Sequence, residues 1–218
     1  TPRPVNLNEI IRGLENLLSS LMGEDIEITT SLSSKYLTVL ADSGQIEQVL
    51  MNLATNARDA MPDGGIIEVA LNNVTLNENA TAQYPNLNLG RYVNLTISDT
   101  GHGIPIKDMD RIFDPYYTTK EVGKGTGMGL AVVHSIVKEH NGKVTVKSES
   151  GKGTTFSIFF PAVEKEAMAE TETGEKLPTG SERILFVDDD KSLIYVCRYR
   201  LERLGYQVET KTNPVEAL

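Results

Sequence analysis

The sequence predicts an α/β fold in which amphipathic helices are interspersed with short strands. Apolar residues recur at helical spacing through 7–21, which predicts a helix with one buried face. Apolar and polar residues alternate through 93–97, which predicts a half-buried strand. Two further strands, 143–149 and 154–160, are predicted on either side of a glycine turn, as in a β-hairpin.

The remaining elements follow from the same signals. Asn6 or Asn8 can open the first helix, and a third helix is expected after Gly129. Asp42 can cap a second helix, with Gln45 three residues later as its partner. The other predicted elements are strands at 26–30, 37–40 and 66–71, and an Asn-rich solvated loop at 72–90.

A change in composition divides the chain into two predicted domains, 1–161 and 183–218. Residues 162–182 between them are rich in Glu and hold almost no large apolar side chain, so we expect an acidic linker. The second domain begins with a strand, a helix and the start of another strand, as a doubly wound α/β domain does. Because about 35 residues cannot close such a core, we expect this fragment to be inert, and poorly ordered or leaning on a neighbour.

Charge and composition exclude several classes of function. The 30 Asp and Glu residues outnumber the 21 Lys and Arg, and the net charge of −9 argues against a nucleic-acid partner. The single cysteine, Cys197, excludes a disulfide framework and a cysteine-based zinc site. No apolar run approaches about 18 residues and no signal sequence follows Thr1. We therefore expect a cytoplasmic fragment without membrane contact, from a parent that is free to carry a membrane segment elsewhere.

The second helix carries a polar stripe beside its apolar face. Asn52, Asn56 and Asp59 are spaced i, i+4 and i+7, so they share one side of the helix. Amide oxygens aimed into a pocket can hold a magnesium ion that already has phosphate ligands. A solvated helix face is the alternative, although Asn is a poor helix former and its repetition at this spacing is unusual.

The strand that ends at Asp99 leads directly into a glycine-rich turn. A carboxylate at a strand end can accept a hydrogen bond from an exocyclic amine, while Gly101 and Gly103 let a flat base approach the backbone. The alternative is an ordinary Asp-Gly turn.

A second glycine-rich run, 123–129, opens the third helix. Free amides at a helix N-terminus, glycines without a Cβ and the nearby Lys124 form a cradle suited to phosphate. The spacings of the P-loop and of the dinucleotide-binding fingerprint are both absent from this run. The alternative is a mobile loop, which is itself compatible with a lid that admits a nucleotide.

Taken in chain order, these motifs resemble those of the histidine kinase ATP-binding domain. Residues 52–61 resemble its N box, and residues 99–103 resemble its first glycine box. The remaining matches are 111–115 with the F box, 125–130 with the second glycine box and 151–156 with the closing strand turn. The variants Asn-Ala-Arg-Asp-Ala-Met-Pro and Tyr-Tyr-Thr-Thr-Lys are similar to those of nitrogen-regulation and hybrid sensor kinases.

The resemblance covers about residues 5–161 and implies the Bergerat ATP-binding fold of the GHKL superfamily. That fold is a two-layer α/β sandwich with helices on one face of a mixed sheet, and it implies that ATP and Mg2+ bind between the N-box helix and a lid. The residues that the resemblance assigns to this site are Asn52, Asn56, Asp59, Asp99, Gly101, Gly103, Ile104, Phe113, Lys120, Lys124, Gly125, Thr126, Gly127, Met128, Gly129, Leu130 and Thr154.

The resemblance also implies a role for the main members of this set. Asp99 would receive the adenine amine, and Thr154 would approach the base through Asp99 or a water. Asn56 would coordinate magnesium and Asn52 would line the γ-phosphate side. Lys120 is counted with these two Asn residues as catalytic, because it would hold phosphate oxygens during transfer.

One position separates kinases from ATP hydrolases within this superfamily. Hydrolases carry a Glu four residues before the magnesium-binding Asn as a general base, and Asn52 stands at that position here. A neutral amide cannot take a proton, so the resemblance implies a histidine kinase. The alternatives are a GHKL-type ATP hydrolase and a non-catalytic nucleotide-sensing scaffold. The family's phosphoacceptor histidine lies on a dimerising helical hairpin, and His102, His134 and His140 do not stand in its motif.

The tail resembles the first strand of a response-regulator receiver domain. In that family an acidic pair after this strand helps to hold magnesium, and Asp188 and Asp189 match it. The two resemblances imply a hybrid sensor kinase in two-component signalling, whose partners are its own dimerisation and phosphoacceptor domain and a receiver. We expect a monomeric fragment from a homodimeric parent.

Overall fold

The computed structural model divides the chain into two compact units, Thr1–Met168 and Ala169–Leu218. The greater part of the predicted linker, 162–182, lies outside the described residues. The described residues are 2–33, 37–77, 87–119, 126–163, 179–189 and 191–213.

The first unit is built on a five-stranded mixed sheet. Its elements are β1 (Arg3–Asn6), α1 (Leu7–Met22), β2 (Ile26–Leu32), β3 (Thr38–Ala41), α2 (Ser43–Asp59), β4 (Gly65–Leu76), β5 (Gly90–Asp99), α3 (Gly129–Glu139), β6 (Lys143–Glu149) and β7 (Gly153–Pro161). The strand order is β2-β4-β5-β7-β6, in which β2 and β4 are parallel and the other neighbours are antiparallel. Strands β1 and β3 form a separate antiparallel pair.

The main core lies between this sheet and the three helices. Val69 in β4, Leu95 in β5 and Ile158 in β7 are buried on one face of the sheet, and α1, α2 and α3 contact β2, β5 and β6 respectively. On α2, Ile46 and Leu53 are buried against this face, as the helical spacing of the apolar residues predicts. The expected arrangement of helices on one face of a mixed sheet is therefore confirmed.

The predicted loop at 72–90 is wrong at both ends. Strand β4 continues to Leu76, and its last residues pair with the first residues of β5 as far as Leu76 opposite Gly90. The reason is a second, smaller apolar cluster, in which Leu76, Tyr92 and Phe159 pack together with Val74 at its edge. This cluster lies on the sheet face opposite the main core. Because successive side chains of a strand point to opposite faces, Val74 and Leu76 of β4 both point toward this cluster.

The N-cap residues agree with the sequence prediction, but the reciprocal Gln45 contact of the expected capping box is replaced. The Asp42 amide donates to His140 Nε2 (3.0 Å), and the Gln45 side chain donates to Glu139 Oε2 (3.3 Å). The Asn6 side chain accepts a hydrogen bond from the Asn8 amide (3.0 Å) and caps α1. The Asp42 side chain accepts from the amides of Gly44 (3.0 Å) and Gln45 (3.3 Å) and caps α2. Across the described ranges, no helix combines the length and the apolar character needed to cross a membrane.

The second unit contains β8 (Arg183–Val187), α4 (Lys191–Arg203) and β9 (Gln207–Lys211), and β8 pairs with β9 in parallel. The strand, helix and second strand expected at the start of this unit are therefore present, the parallel pairing satisfies backbone hydrogen bonds, and α4 buries Ile194. The core of this unit stays small, since Leu185 and Leu193 are exposed. Cys197 is a free, half-buried thiol.

The cap of α2 provides a test of the fold. Asp42→Ala removes the acceptor for two backbone amides, so we expect the free energy of unfolding to fall by about 1 kcal/mol. Urea denaturation followed by circular dichroism measures this change. Ser43→Ala, at the first residue of α2, is the control and is expected to leave the free energy within about 0.5 kcal/mol of the parent. Equal losses in the two variants would contradict the capping role.

Candidate functional site

Asp99 lies at the end of β5, where its half-buried carboxylate joins two parts of the chain. Oδ1 accepts hydrogen bonds from the amides of Gly101 (2.9 Å) and Thr154 (3.2 Å). Among the described residues, no donor contacts Oδ2. Burial raises the pKa of Asp99, and the two amide hydrogen bonds oppose that rise. The carboxylate is thus held in place through one oxygen and retains the other as an acceptor.

The two glycines after Asp99 allow this turn to pack closely against the end of α2 and the end of β6. A Cβ on Gly101 would lie 2.7 Å from the Ala60 carbonyl oxygen and 2.8 Å from the Ala60 Cβ, at the end of α2. The same carbonyl accepts from the His102 amide (3.0 Å). Gly103 has φ +72° and lies against the backbone of Glu149, where a side chain would collide. Both predicted glycines therefore serve close backbone packing.

Ser148 on β6 connects the turn to the β6–β7 hairpin, and the sequence analysis did not identify it. Its hydroxyl accepts from the Ile104 amide (2.7 Å) and donates to the Gly153 carbonyl (3.0 Å). The Thr154 hydroxyl lies 3.0 Å from it, so Thr154 uses its amide for Asp99 and its hydroxyl for Ser148. Ser148 pairs with Thr154 in the predicted hairpin, and that pairing is the signal by which it could have been found.

The two Asn side chains of the polar stripe face the start of α3. A Cβ on Gly129 would lie 3.8 Å from Asn52 Oδ1 and 3.8 Å from Asn56 Nδ2. Within the part of the chain that the structure describes, no side chain caps α3 after Met128, although the Met128 amide itself donates to Thr126 Oγ1 (3.3 Å). The unpaired amides of a helix N-terminus carry a partial positive charge. Uncharged amides and a helix N-terminus thus meet here, a combination suited to phosphate.

The F box packs against the same helix. The Phe113 ring lies 5.3 Å from the His134 ring, centroid to centroid, with an interplanar angle of 34°. Further along, the Tyr116 amide donates to the Gly127 carbonyl (3.0 Å), which joins the segment after the F box to the residues before α3. Phe113, which the resemblance assigns to the nucleotide site, contacts α3 through its ring.

The other predicted nucleotide ligands fall into two groups. Met128 and Leu130 are half-buried at the start of α3. Lys120, Lys124 and Gly125 lie outside the described residues.

Asp59 takes a different position from Asn52 and Asn56. Its Oδ1 accepts from Arg58 Nη2 (3.0 Å) and Nε (3.2 Å), so the neighbouring guanidinium engages the carboxylate. The helical spacing placed Asp59 on the polar stripe, but spacing alone does not reveal a competing cation on the adjacent residue.

His140 has a structural role. It is buried, and its Nε2 accepts from the Asp42 amide (3.0 Å). Nδ1 must therefore carry the proton and donate to the Ile136 carbonyl (2.8 Å), which fixes one neutral tautomer. The contact joins the C-terminus of α3 to the start of α2.

The two acidic residues in the tail follow β8. The Asp188 amide donates to the Lys211 carbonyl (3.2 Å), and Asp189 is exposed. Within the described ranges, no three His, Cys, Asp or Glu side chains come together as a metal-binding group.

Residues 41–164 match the family described as Histidine kinase-, DNA gyrase B-, and HSP90-like ATPase. The chain therefore belongs to this family. Its first unit contains an ATP-binding catalytic domain of the histidine kinase type, homologous to those of sensor kinases.

Individual relatives agree with this assignment. Sensor kinase CckA of Brucella abortus is 40% identical over 100% of this chain and 24% of its own length. Sporulation kinase A of Bacillus subtilis is 37% identical over 72% of this chain and 23% of its own length. The catalytic domain of histidine kinase ThkA superposes with a TM-score of 0.60 at 27% identity, over 74% of this chain and 96% of that domain. The chain thus spans about a quarter of these two curated relatives.

The packing of Gly101 gives a test of the site's geometry. Gly101→Ala places a methyl group against the backbone of α2, so we expect the free energy of unfolding to fall by about 1–3 kcal/mol. Urea denaturation measures this change.

Gly13→Ala is the matched control, because a Cβ at Gly13 in α1 would meet nothing within 4 Å. It is expected to raise stability by about 0.5–1 kcal/mol, since Ala is the better helix former. A Gly101→Ala protein as stable as its parent would show that the turn is not held against α2.

Proposed function

We propose that the first unit binds MgATP and that the intact protein transfers the γ-phosphoryl group to a histidine. That histidine would lie on a separate dimerising helical hairpin, within two-component signalling. The observation that carries the proposal is the pair of neutral amides, Asn52 and Asn56, at the uncapped start of α3. The family match supports the choice of ATP as the nucleotide.

The base would be recognised at Asp99. Its Oδ2 remains available to accept from the exocyclic amine of adenine, while Gly101 and Gly103 allow the turn that holds Asp99 to pack closely against its neighbours. Thr154 would act through the hydrogen bond that its backbone amide donates to Asp99. Ile104 would act through the hydrogen bond that its backbone amide donates to the Ser148 hydroxyl, which fixes the turn. A charged acceptor in a half-buried position gives a strong hydrogen bond to a neutral amine.

The phosphates and Mg2+ would be held at the other group of residues. Amide oxygens are hard ligands that suit magnesium once phosphates supply the negative charge, so Asn56 and Asn52 fit a nucleotide-bound ion. Free amides at the start of α3 fit phosphate oxygens. The proposed contacts around them are Asp59, Phe113, Lys120, Lys124, Gly125, Thr126, Gly127, Met128, Gly129 and Leu130.

Transfer to a protein side chain is favoured over hydrolysis by the chemistry of Asn52. An amide cannot remove a proton from water at neutral pH, so Asn52 cannot act as a general base at the proposed phosphate site. Binding and charge neutralisation remain, and these are the main demands of phosphoryl transfer. A GHKL-type hydrolase and a nucleotide-sensing scaffold are the competing functions.

The second unit is proposed to be the opening part of a receiver domain. A parallel β–α–β arrangement and an acidic pair, Asp188 and Asp189, directly after β8 support this proposal. The similarity to a sensor kinase over the whole chain also supports it. The pair would contribute to a receiver magnesium site that needs further residues. The parent would then be a hybrid kinase, of the nitrogen-regulation type by its N-box variant, cytoplasmic in this part and homodimeric.

A transfer assay tests the kinase proposal. The 218-residue chain is mixed with labelled MgATP and a helical-hairpin domain of a sensor kinase that carries its phosphoacceptor histidine. We expect label on that domain. With Asn56→Ala the initial rate of label transfer should fall at least about tenfold. Loss of a residue that only orients a metal ligand already lowers metal affinity by about tenfold or more, and loss of a proposed ligand should lower it at least as much.

Gln48→Ala, which removes an exposed amide about two turns before Asn56 on α2, should leave the transfer rate unchanged. Hairpin domain without its histidine should stay unlabelled. Brisk phosphate release without label transfer would favour the hydrolase, and binding without either reaction would favour the scaffold.

The raised pKa of Asp99 predicts how acid affects binding. Because the amine needs an ionised acceptor, affinity for ATP should fall as the pH drops through the pKa of Asp99, which lies above its ordinary value of 3.8. Asp99→Asn should weaken binding by about 1.5–3 kcal/mol at neutral pH and should lack this acid-dependent step. Calorimetry across a pH series measures both.

The phosphates of ATP also titrate, so the comparison between wild type and Asp99→Asn isolates the contribution of the protein. Parallel pH curves for the two proteins would mean that Asp99 does not contact the base.

A further inference from the structure

The residues that flank the F box on either side form a partly buried hydrogen bond that the proposed site does not use. Asp108 is 8% exposed, and its Oδ1 accepts from the Tyr117 hydroxyl at 2.6 Å. This bond is short, as expected when the acceptor is charged. It also raises the pKa of Tyr117, so the hydroxyl stays protonated and remains a donor at neutral pH.

Neighbouring contacts tighten the turn around this bond. The Arg111 guanidinium lies over the Tyr117 ring, 4.3 Å from its centroid, and Arg111 Nε is 3.7 Å from Asp114 Oδ2. The Arg111 amide donates to the Asp108 carbonyl (2.9 Å), and the Tyr117 amide donates to the Asp114 carbonyl (3.2 Å). The cation thus covers the ring and pairs with Asp114, and the tyrosine hydroxyl contacts Asp108.

A backbone contact carries this arrangement to the start of α3. The Tyr116 amide donates to the Gly127 carbonyl (3.0 Å). Gly127 has φ +66°, and a Cβ there would lie 2.8 Å from the Tyr116 Cα, so the two backbones are in close contact. Gly129, two residues further, is the point where α3 approaches Asn52 and Asn56.

We propose that Tyr117 and Asp108 form a positioning pair that holds the start of α3 against the N-box amides and thereby sets the affinity for the phosphate part of the nucleotide. The inference rests on the proposed MgATP site. Among the described residues, neither side chain of the pair hydrogen-bonds to the base turn at Asp99 or to α2, and the pair acts through the Tyr116–Gly127 contact.

The pair has a signature that a merely structural role would lack. Loss of general stability weakens all ligands alike, whereas misplacement of α3 weakens only ligands that carry phosphates. We therefore compare the affinities for MgATP and for adenosine, measured on the full 218-residue chain by calorimetry and by NMR titration. The affinity for adenosine depends only on the base turn at Asp99. The affinity for MgATP depends on the base turn and also on the proposed phosphate site at the start of α3.

Tyr117→Phe removes the hydroxyl and keeps the ring under Arg111. We expect MgATP affinity to fall about fivefold, the effect of one lost hydrogen bond, and adenosine affinity to stay within about twofold. Tyr92→Phe is the matched control, because it also removes a tyrosine hydrogen bond, to the Asn88 carbonyl (3.2 Å), in the small cluster on the other face of the sheet. It should change neither affinity.

Asp108 supplies a second, independent pair of variants. Asp108→Asn keeps an oxygen acceptor for the hydroxyl and should bind MgATP within about twofold of wild type, whereas Asp108→Ala should reproduce the loss in Tyr117→Phe. An unchanged MgATP affinity in Tyr117→Phe would overturn the proposal, as would an equal loss for adenosine. If Tyr117→Phe did not fold, the two Asp108 variants would decide: a fivefold loss of MgATP affinity in Asp108→Ala with adenosine affinity retained would uphold the proposal, and unchanged MgATP affinity in Asp108→Ala would overturn it. Wild-type protein that fails to bind MgATP would instead refute the proposed function.

Discussion

The carboxylate of Asp99 is the interaction on which the rest of the site depends. Through Oδ1 it holds the turn that follows β5 and the first residues of β7, two segments separated by more than fifty positions in the chain. Burial makes this charge costly, and the two backbone amides offset part of that cost. An acceptor fixed in this way needs no rearrangement to meet a ligand, which is the general condition for precise recognition.

Much of the fold could be predicted because its signals are local. Caps at Asn6 and Asp42, the end of β5 at Asp99 and the closing hairpin all depend on residues a few positions apart. The continuation of β4 to Leu76 could not be read in this way. Polar side chains at 72 and 73 hide the strand period, and only contact with Tyr92 and Phe159 explains the burial of its end.

The site could be predicted in its residue types but only partly in its contacts. The motifs identified Asn52, Asn56 and Asp99 from family resemblance, and the structure adds what no linear pattern contains. Ser148 joins the base turn to the hairpin, and the Arg58 guanidinium engages Asp59. Such contacts arise from tertiary packing and from competition between neighbouring side chains. A sequence motif therefore predicts which residue types form a site better than it predicts the hydrogen bonds and ion pairs that surround them.

The strand order has a consequence for how the protein acquires its site. The Asp99–Thr154 contact exists only when β5 and β7 have paired, and that pairing waits for the intervening helix and hairpin to return to the centre of the sheet. Contacts of such long sequence separation form late, because loop closure must precede them. With the base held at Asp99 as proposed, a chain still growing on the ribosome would not bind nucleotide until β7 had emerged. Nucleotide bound at the proposed site would then stabilise only those chains in which the sheet is complete.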